Sequence, residues 1–383
     1  MTLKIAISGG GVAGLSAAWW LSRSGADVTV LERAPDYAPL GHYISLKAHG
    51  VALIRHMGLL EQCRSREVRT QTMRMYNQAG KLLREIPSEA LSAAVDGYLL
   101  FRRADLHASL YEAVTGSCDL RFSTQLRAVR QTHTHVEVEI ESGTERFDLL
   151  LGTDGIHSLT RRLVFGEAFL RPMGGRYLAL TVDCQHGLSL DALQMWWGRG
   201  QTVTLIPNSV DRISAIVYHG DGGVEPRGTT NADYRAFFDE GYAQFPDPVR
   251  RILGALDEHG YVFTDSIAQV DMPTIVKGRI ALIGDAAHCP TFMSGMGSSL
   301  ALQGARELAH ALESEPDVPA ALGRYEKAIT PIANRYKASA NTMKRLLLSR
   351  SRLLEAVRNA ATAAVPNWAL DRQAKAFLHV KKA

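Results

Sequence analysis

The chain has 383 residues, 46% of them apolar, and a formal net charge of +4, which is enough length for two globular domains with sizeable cores. Lys and Arg are spread through the body of the chain, which argues against nucleic acid, and no apolar run approaches the roughly 18 residues of a membrane span. The first residues run into a glycine turn without the apolar core and cleavage site of a signal peptide, and Cys63, Cys118, Cys184 and Cys289 form no C-x-x-C pair, so a cytoplasmic protein is the expectation.

The opening stretch, Leu3 to Arg33, reads as strand, glycine turn, helix, strand. In Gly9-Gly10-Gly11-Val12-Ala13-Gly14, Gly9 permits a tight turn, Gly11 lets the backbone approach a diphosphate, and Gly14 lets the helix pack closely on its strand. Glu32 ends the second strand, where a carboxylate can accept the hydroxyls of an adenosine ribose. Strand, helix and terminal acid agree on a dinucleotide site.

A loop over 34–41 precedes a helical segment from Lys47 to Met57 that Gly58 ends; Lys47 reads as a solvated lysine. Thr70 to Tyr76 and Lys81 to Ile86 flank the turn Asn77-Gln78-Ala79-Gly80 and predict a hairpin, with Met73 and Met75 as core residues. A helix is expected from Ala104 to Val114, then strands at Asp119–Phe122, Ala128–Gln131, Val136–Ile140 and Phe147–Leu151, with a turn at Glu141-Ser142-Gly143-Thr144. The last strand ends abruptly at Gly152-Thr153-Asp154-Gly155.

From Arg176 to Gln269 the character changes: Tyr177–Cys184, Gln194–Trp197, Thr202–Ile206 and Ile213–Tyr218 predict a mainly antiparallel second sheet, with helices at Asp233–Phe245 and Pro248–Leu256. Trp196-Trp197 reads equally as a core pair or as cavity wall. A short strand, Ile280–Ile283, then meets Gly284-Asp285-Ala286-Ala287-His288, and a helix begins near Gly295. From Arg324 onward there are 13 Lys or Arg against 3 acids. That tail predicts a helix pair packed on the body through Met343, Leu346, Leu347, Leu353, Leu354 and Val357, with its basic face in solvent.

Three segments thus end a strand with glycine and an acid: the Gly9 turn with Glu32, Asp154-Gly155, and Gly284-Asp285. In open α/β sheets ligands bind beyond the carboxyl ends of the strands, so these turns can line one elongated site. Asp285 can accept from sugar or ribityl hydroxyls, and Ser294-Gly295-Met296-Gly297-Ser298-Ser299 is small and opens a helix, so several N–H groups would point at whatever lies in front; a helix N-terminus of this kind would stabilise the negative charge of a reduced flavin.

With these motifs in this order, the chain resembles a class A flavin-dependent aromatic hydroxylase, the family of para-hydroxybenzoate hydroxylase and the tetracycline-inactivating monooxygenases. The resemblance spans nearly the whole chain and rests on Gly9, Gly11, Gly14, Glu32, Arg33, Arg103, Asp154, Gly155, Ser158, Arg161, Gly284, Asp285, His288, Gly295 and Gly297. It implies an α/β fold: a Rossmann-like FAD-binding domain (1–69, 98–175 and 271–330), an inserted mainly antiparallel α+β substrate domain (70–97 and 176–270), and C-terminal helices (331–383). It implies FAD held by Gly9, Gly11, Val12, Ala13, Gly14, Glu32, Arg33, Arg103, Asp154, Gly155, Gly284, Asp285, Gly295, Met296, Gly297 and Ser298, with NADPH or NADH as a transient co-substrate. The implied reaction is hydroxylation of an aromatic or polycyclic small molecule with O₂ through a flavin C4a-hydroperoxide. Trp197 and Phe292 are the candidate pocket residues.

Phe292 stands where the family often has proline, Ser299 where it has asparagine, and Gly304-Ala305 where it has Asp-Ala; these substitutions look like the tetracycline-inactivating branch. His288 reads as a structural histidine capping a turn, Cys289 as a packing residue, and the 13 histidines form no metal-ligand spacing, so no metal and no acid or base is assigned. A flavin-dependent halogenase is the rival enzyme, but of its W-x-W-x-I-P signature only Ile206-Pro207 is present. A flavin-binding redox sensor is the non-enzymatic rival. The oligomeric state stays open.

Overall fold

The computed structural model describes residues 2–36, 43–94 and 97–364, and the chain divides into two compact units. The first comprises Met1–Glu67, Phe101–Pro172 and Ala268–Ala340; the second comprises Val68–Leu100, Met173–Ile267 and Asn341–Ala383. None of the described helices is long and apolar enough to cross a membrane.

The first unit is built on a six-stranded sheet in the order Val276–Lys277, Ile280–Leu282, Leu149–Gly152, Lys4–Ser8, Asp27–Leu31, Asp119–Arg121. All pairs are parallel except the outermost one, 276–277 with 280–282. Ile5, Ala6, Ile7, Leu149, Leu150 and Leu151 are fully buried, the continuous apolar signature of strands covered on both faces. A three-stranded antiparallel sheet, Ala128–Gln131, Val136–Ile140 and Gly143–Phe147, covers one face. It alternates as a half-buried strand must: Val136, Val138 and Ile140 join a core with Ala6, Leu31, Leu150 and Ile280, while Glu137 and Glu139 point away. The helices Val12–Arg23, Arg103–Val114 and Gly297–Ser314 pack together as the helical layer. The apolar run expected as one strand over 147–151 is two: Phe147 closes the hairpin, and Leu149 begins a central parallel strand after Asp148 accepts from the Lys4 N–H at 2.8 Å.

The second unit carries a seven-stranded sheet in the order Tyr261–Val270, Leu170–Asp183, Arg212–His219, Gln201–Ser209, Ala192–Trp197, Thr72–Asn77, Leu82–Pro87. The predicted hairpin is its far edge, and Ala192–Trp197 joins it in parallel at Thr72–Asn77. The other edge, Tyr261–Val270, escaped the sequence reading because Asp265, Ser266 and Gln269 interrupt its apolar pattern. Helices Asn231–Gly241 and Asp247–Gly254 cover one face through Phe237, Phe238, Val249, Ile252 and Leu253. A capping box fixes the first: the Asp233 N–H donates to the Thr230 hydroxyl at 3.2 Å, and the Thr230 N–H donates to the Asp233 carboxylate at 2.9 Å.

The C-terminal helices depart from the expected packing. They are Val318–Leu347 and Arg352–Ala364, and the apolar stripe faces solvent: Leu353 is 73% exposed, Val357 56%, Leu354 46% and Leu346 43%. The face turned inward on Arg352–Ala364 is polar. Arg358 is buried, donating to the carbonyls of Trp197 at 3.2 Å and Gly198 at 3.1 Å and lying 5.6 Å from the Trp197 ring centre. Glu355 pairs with Arg199 at 3.4 Å, and Arg84 donates to the Thr362 carbonyl. The turn after Ala192–Trp197 exposes carbonyls to this helix, and a guanidinium satisfies them where an apolar side chain cannot. Arg358→Ala strands these acceptors, so it is expected to lower the unfolding free energy by about 2–3 kcal/mol and, by loosening the helix, to speed trypsin cleavage after the exposed Arg350 and Arg352. Unchanged urea midpoint and cleavage rate would contradict this anchoring.

Candidate functional site

Four adjacent parallel strands deliver the predicted turns side by side. Gly9 follows Lys4–Ser8, Glu32 follows Asp27–Leu31, Thr153-Asp154 follows Leu149–Gly152, and Gly284-Asp285 lies just beyond Ile280–Leu282. Gly9 has φ +107°, and a Cβ there would sit 2.8 Å from the Asp154 Cα. A Cβ on Gly14 would run into the Gly9 carbonyl oxygen and stand 2.8 Å from the Thr153 hydroxyl. That hydroxyl donates to the carbonyls of Ser8 at 2.9 Å and Gly9 at 2.7 Å. Gly11 is different: its φ is −76°, and a Cβ would meet only an Arg103 guanidinium nitrogen, 3.7 Å away. It leaves open space in front of the helix that begins at Val12, where two backbone turns and a dipole favour an anion.

A cavity of about 180 Å³ opens there, lined by Gly10, Gly11, Glu32, Arg103, His107 and Tyr111 among others. The Glu32 carboxylate accepts from the Gly10 N–H at 2.7 Å and the Ala34 N–H at 2.8 Å, which fixes its orientation and leaves lone pairs for a further donor. His107 and Tyr111 were not singled out in the sequence, although they stand one and two helical turns beyond Arg103 on the same face. The His107 imidazole reaches the Gly10 carbonyl at 2.5 Å, and burial lowers its pKa. Arg33 is exposed at the strand end and does not line the cavity.

The Asp154 carboxylate turns toward its own chain. It accepts from the Ser158 hydroxyl at 2.5 Å and from the Thr160 N–H and hydroxyl at 2.8 and 3.0 Å, holding the start of helix Leu159–Phe165. Gly155 follows with φ +79° and open space around it. Buried Arg161 then joins two of the motifs, donating to the carbonyls of Ile156 at 2.6 Å and Ala286 at 3.0 Å. Gly284 has φ +66°, and a Cβ there would lie 2.9 Å from that of Ala13. All three turns therefore touch through backbone or a buried side chain.

Asp285 sits beyond them. Burial raises its pKa, and the charge of Arg103 works against that rise. Its carboxylate is 3.6 Å from the Cβ position of Gly297, the first residue of helix Gly297–Ser314. Gly295 takes φ +60°, and the Met296 N–H donates to the Ser294 hydroxyl at 3.1 Å, while Ser298 stands half-buried in the first helical turn. Phe292 opens the preceding short turn Phe292–Ser294 in this unit. In the second unit Trp196 is core, stacked on Tyr76 with centres 4.9 Å apart, whereas Trp197 lies on the other face against Arg358.

Lys47 corrects the sequence reading. It ends strand Tyr43–Lys47, and its side chain is half-buried against Gly295; this partial burial lowers its pKa. The helix expected from Lys47 begins at His49, after Ala48 takes φ +46°.

An open Gly11, an adjoining cavity with an oriented carboxylate, and a half-buried Asp285 before a helix start fit an elongated dinucleotide that carries a diphosphate. The FAD binding domain family matches residues 2–339. The chain belongs to that family. Across 340 residues it is 28% identical to a flavin-dependent monooxygenase of an unknown prokaryotic organism, covering 86% of each chain. Its fold is similar to that of tetracycline destructase Tet(55), with a TM-score of 0.81 at 24% identity over 100% of this chain and 99% of that one. It is also similar to Klebsiella pneumoniae HpxO complexed with FAD and uric acid, with a TM-score of 0.86 at 22% identity over 98% and 96%.

His288 ends the turn Asp285–His288, yet its ring caps nothing: neither nitrogen has a partner among the described residues. Burial lowers the pKa of both His288 and His49 to about 4, so both are neutral at pH 7. Below the unfolded value near 6.5 the unfolded chain binds protons that the folded chain refuses, and stability falls as pH drops from 6.5 toward 4. His288→Asn removes one titrating ring, and the loss in unfolding free energy between pH 7 and pH 5 is expected to shrink by about 2 kcal/mol. An unchanged pH dependence in urea melts would contradict a buried neutral His288.

Proposed function

We propose that this chain is an NAD(P)H-dependent monooxygenase that places one atom of O₂ on an aromatic or polycyclic small molecule, holding FAD along the carboxyl edge of its six-stranded sheet. The observation that carries the reading is the continuous line from Glu32, past open Gly11 and Arg103, to Asp285 and the helix start at Gly297. Glu32 would accept the adenosine ribose hydroxyls, Gly11 and the Val12 helix start would take the diphosphate, and Arg103 would neutralise it. Asp285 would accept from the ribityl chain. Gly295 and Met296, whose N–H groups close the turn onto Phe292 and Ser294, would shape the approach, and Gly297 and Ser298 would present N–H groups to the flavin pyrimidine edge.

FAD, when bound, supplies the redox and oxygen chemistry expected from the sequence; the protein supplies orientation, charge and exclusion of water. No side chain is assigned as acid or base. The buried neutral imidazole of His288 is a packing group in this reading. The transient co-substrate would be NADPH or NADH, since the described glycine turns make one dinucleotide fingerprint. Tetracycline destructase Tet(55) and the uric acid complex of HpxO support a planar, multi-ring substrate.

Isotope transfer tests the reaction class. With NADPH or NADH, FAD and a panel of phenols, quinolones and tetracyclines, the product formed under ¹⁸O₂ should carry one labelled oxygen, and none should come from labelled water. A product that requires chloride or bromide and carries no label would assign a halogenase instead. NAD(P)H that never reduces the bound flavin, whatever aromatic is added, would leave a flavin-binding sensor.

A further inference from the structure

Lys47 is a half-buried lysine whose amine has no protein partner among the described residues. A Cβ on Gly295 would lie 2.8 Å from its Nζ and 3.9 Å from its Cε, so glycine at 295 leaves the room that the ammonium occupies. Among the described residues Nζ has neither a hydrogen-bond acceptor nor a carboxylate within ion-pair distance. Asp285, whose carboxylate lies 3.6 Å from the Cβ position of Gly297, is countered by Arg103 instead. The placement is built in. The Ser299 hydroxyl lies 3.4 Å from both the N–H nitrogen and the carbonyl oxygen of Lys47, and Gly50 approaches Ser299 so closely that a Cβ would overlap its Oγ. Ala48 holds φ +46° and ψ −117° next to it, a conformation that costs of order 1–3 kcal/mol for a residue with a side chain. A half-covered ammonium with no acid of its own is held at this helix start with its charge available to an anionic ligand group.

We propose that the Lys47 ammonium is the charge partner of reduced FAD, facing the pyrimidine edge of the ring system from the Gly295 side and favouring the anionic reduced form over the oxidised one. The inference rests on the FAD reading above. Reduction adds two electrons and one proton to the neutral oxidised ring system and leaves it with one negative charge. That charge gathers on the pyrimidine edge, where Lys47 adds a full positive charge to the partial charge of the Gly297 helix start. Asp285, beside Gly297 of the same segment, is placed for hydroxyl groups.

The test compares the affinity of each protein for oxidised and dithionite-reduced FAD by titration of the apoprotein, together with the midpoint potential of the holoprotein. Lys47→Met should lower the preference for reduced FAD at least tenfold, about 30 mV for a two-electron couple. Lys47→Arg should keep it within about threefold. Because the preference is a ratio of two dissociation constants, a variant that binds FAD weakly still reports it, and Lys47→Gln serves as a second neutral variant should Lys47→Met fold poorly. An unchanged ratio in both neutral variants overturns the inference. So does an unchanged potential accompanied only by a raised substrate KM, which would assign the ammonium to an anionic substrate group. Wild-type protein that binds no FAD would overturn the FAD reading itself, a distinct outcome.

Discussion

The approach of the Gly9 turn to the Thr153-Asp154 backbone is the constraint on which the site depends. Two parallel strands end side by side, and the chain leaving one passes within van der Waals reach of the chain leaving the other. Only glycine at 9 and 14 allows this, because a Cβ at either position meets backbone atoms that cannot yield. The Thr153 hydroxyl then closes the gap by donating to the carbonyls on the Gly9 side. From that junction the Val12 helix start faces open space, and Arg161 carries the same rigidity to the Gly284 turn through the Ala286 carbonyl.

Charge is distributed along the resulting edge in an order that suits a long, mixed ligand. An oriented carboxylate stands at the Glu32 end, a guanidinium near Gly11, a half-buried carboxyl at Asp285, and an ammonium at Gly295. Each group has a different task toward hydroxyl, phosphate or ring. Asp154, by contrast, is turned back onto its own helix start, so its contribution is to hold the turn against Gly9 rather than to present a carboxylate.

Much of this was legible in the sequence because it is local. A glycine that must turn, a glycine that must be bare and an acid ending a strand are fixed by their immediate neighbours, and the alternation of Val136 to Ile140 declares its buried face. What escaped was set by distant partners. Lys47 reads as solvated until Gly295 folds onto it, and His107 and Tyr111 join the cavity only once their helix packs beside the Gly9 turn. The helix Arg352–Ala364 shows the limit most clearly. Its sequence reveals which face is apolar, but the face that packs is chosen by the free carbonyls of Trp197 and Gly198, which Arg358 satisfies. Asp265, Ser266 and Gln269 hid the edge strand Tyr261–Val270 for a similar reason, since its polar side chains find water or partners that periodicity does not report.

The central claim is that the space before Gly11 belongs to the diphosphate of FAD, and flavin retention by Gly11→Val tests it most directly. The φ of −76° at Gly11 and the nearest protein atom at 3.7 Å from its Cβ position mean that valine can be accepted without backbone strain. The account predicts a variant with wild-type circular dichroism and a cooperative melt that is purified colourless and takes up added FAD at least a hundredfold more weakly than wild type. A folded Gly11→Val protein that keeps stoichiometric yellow FAD would contradict it.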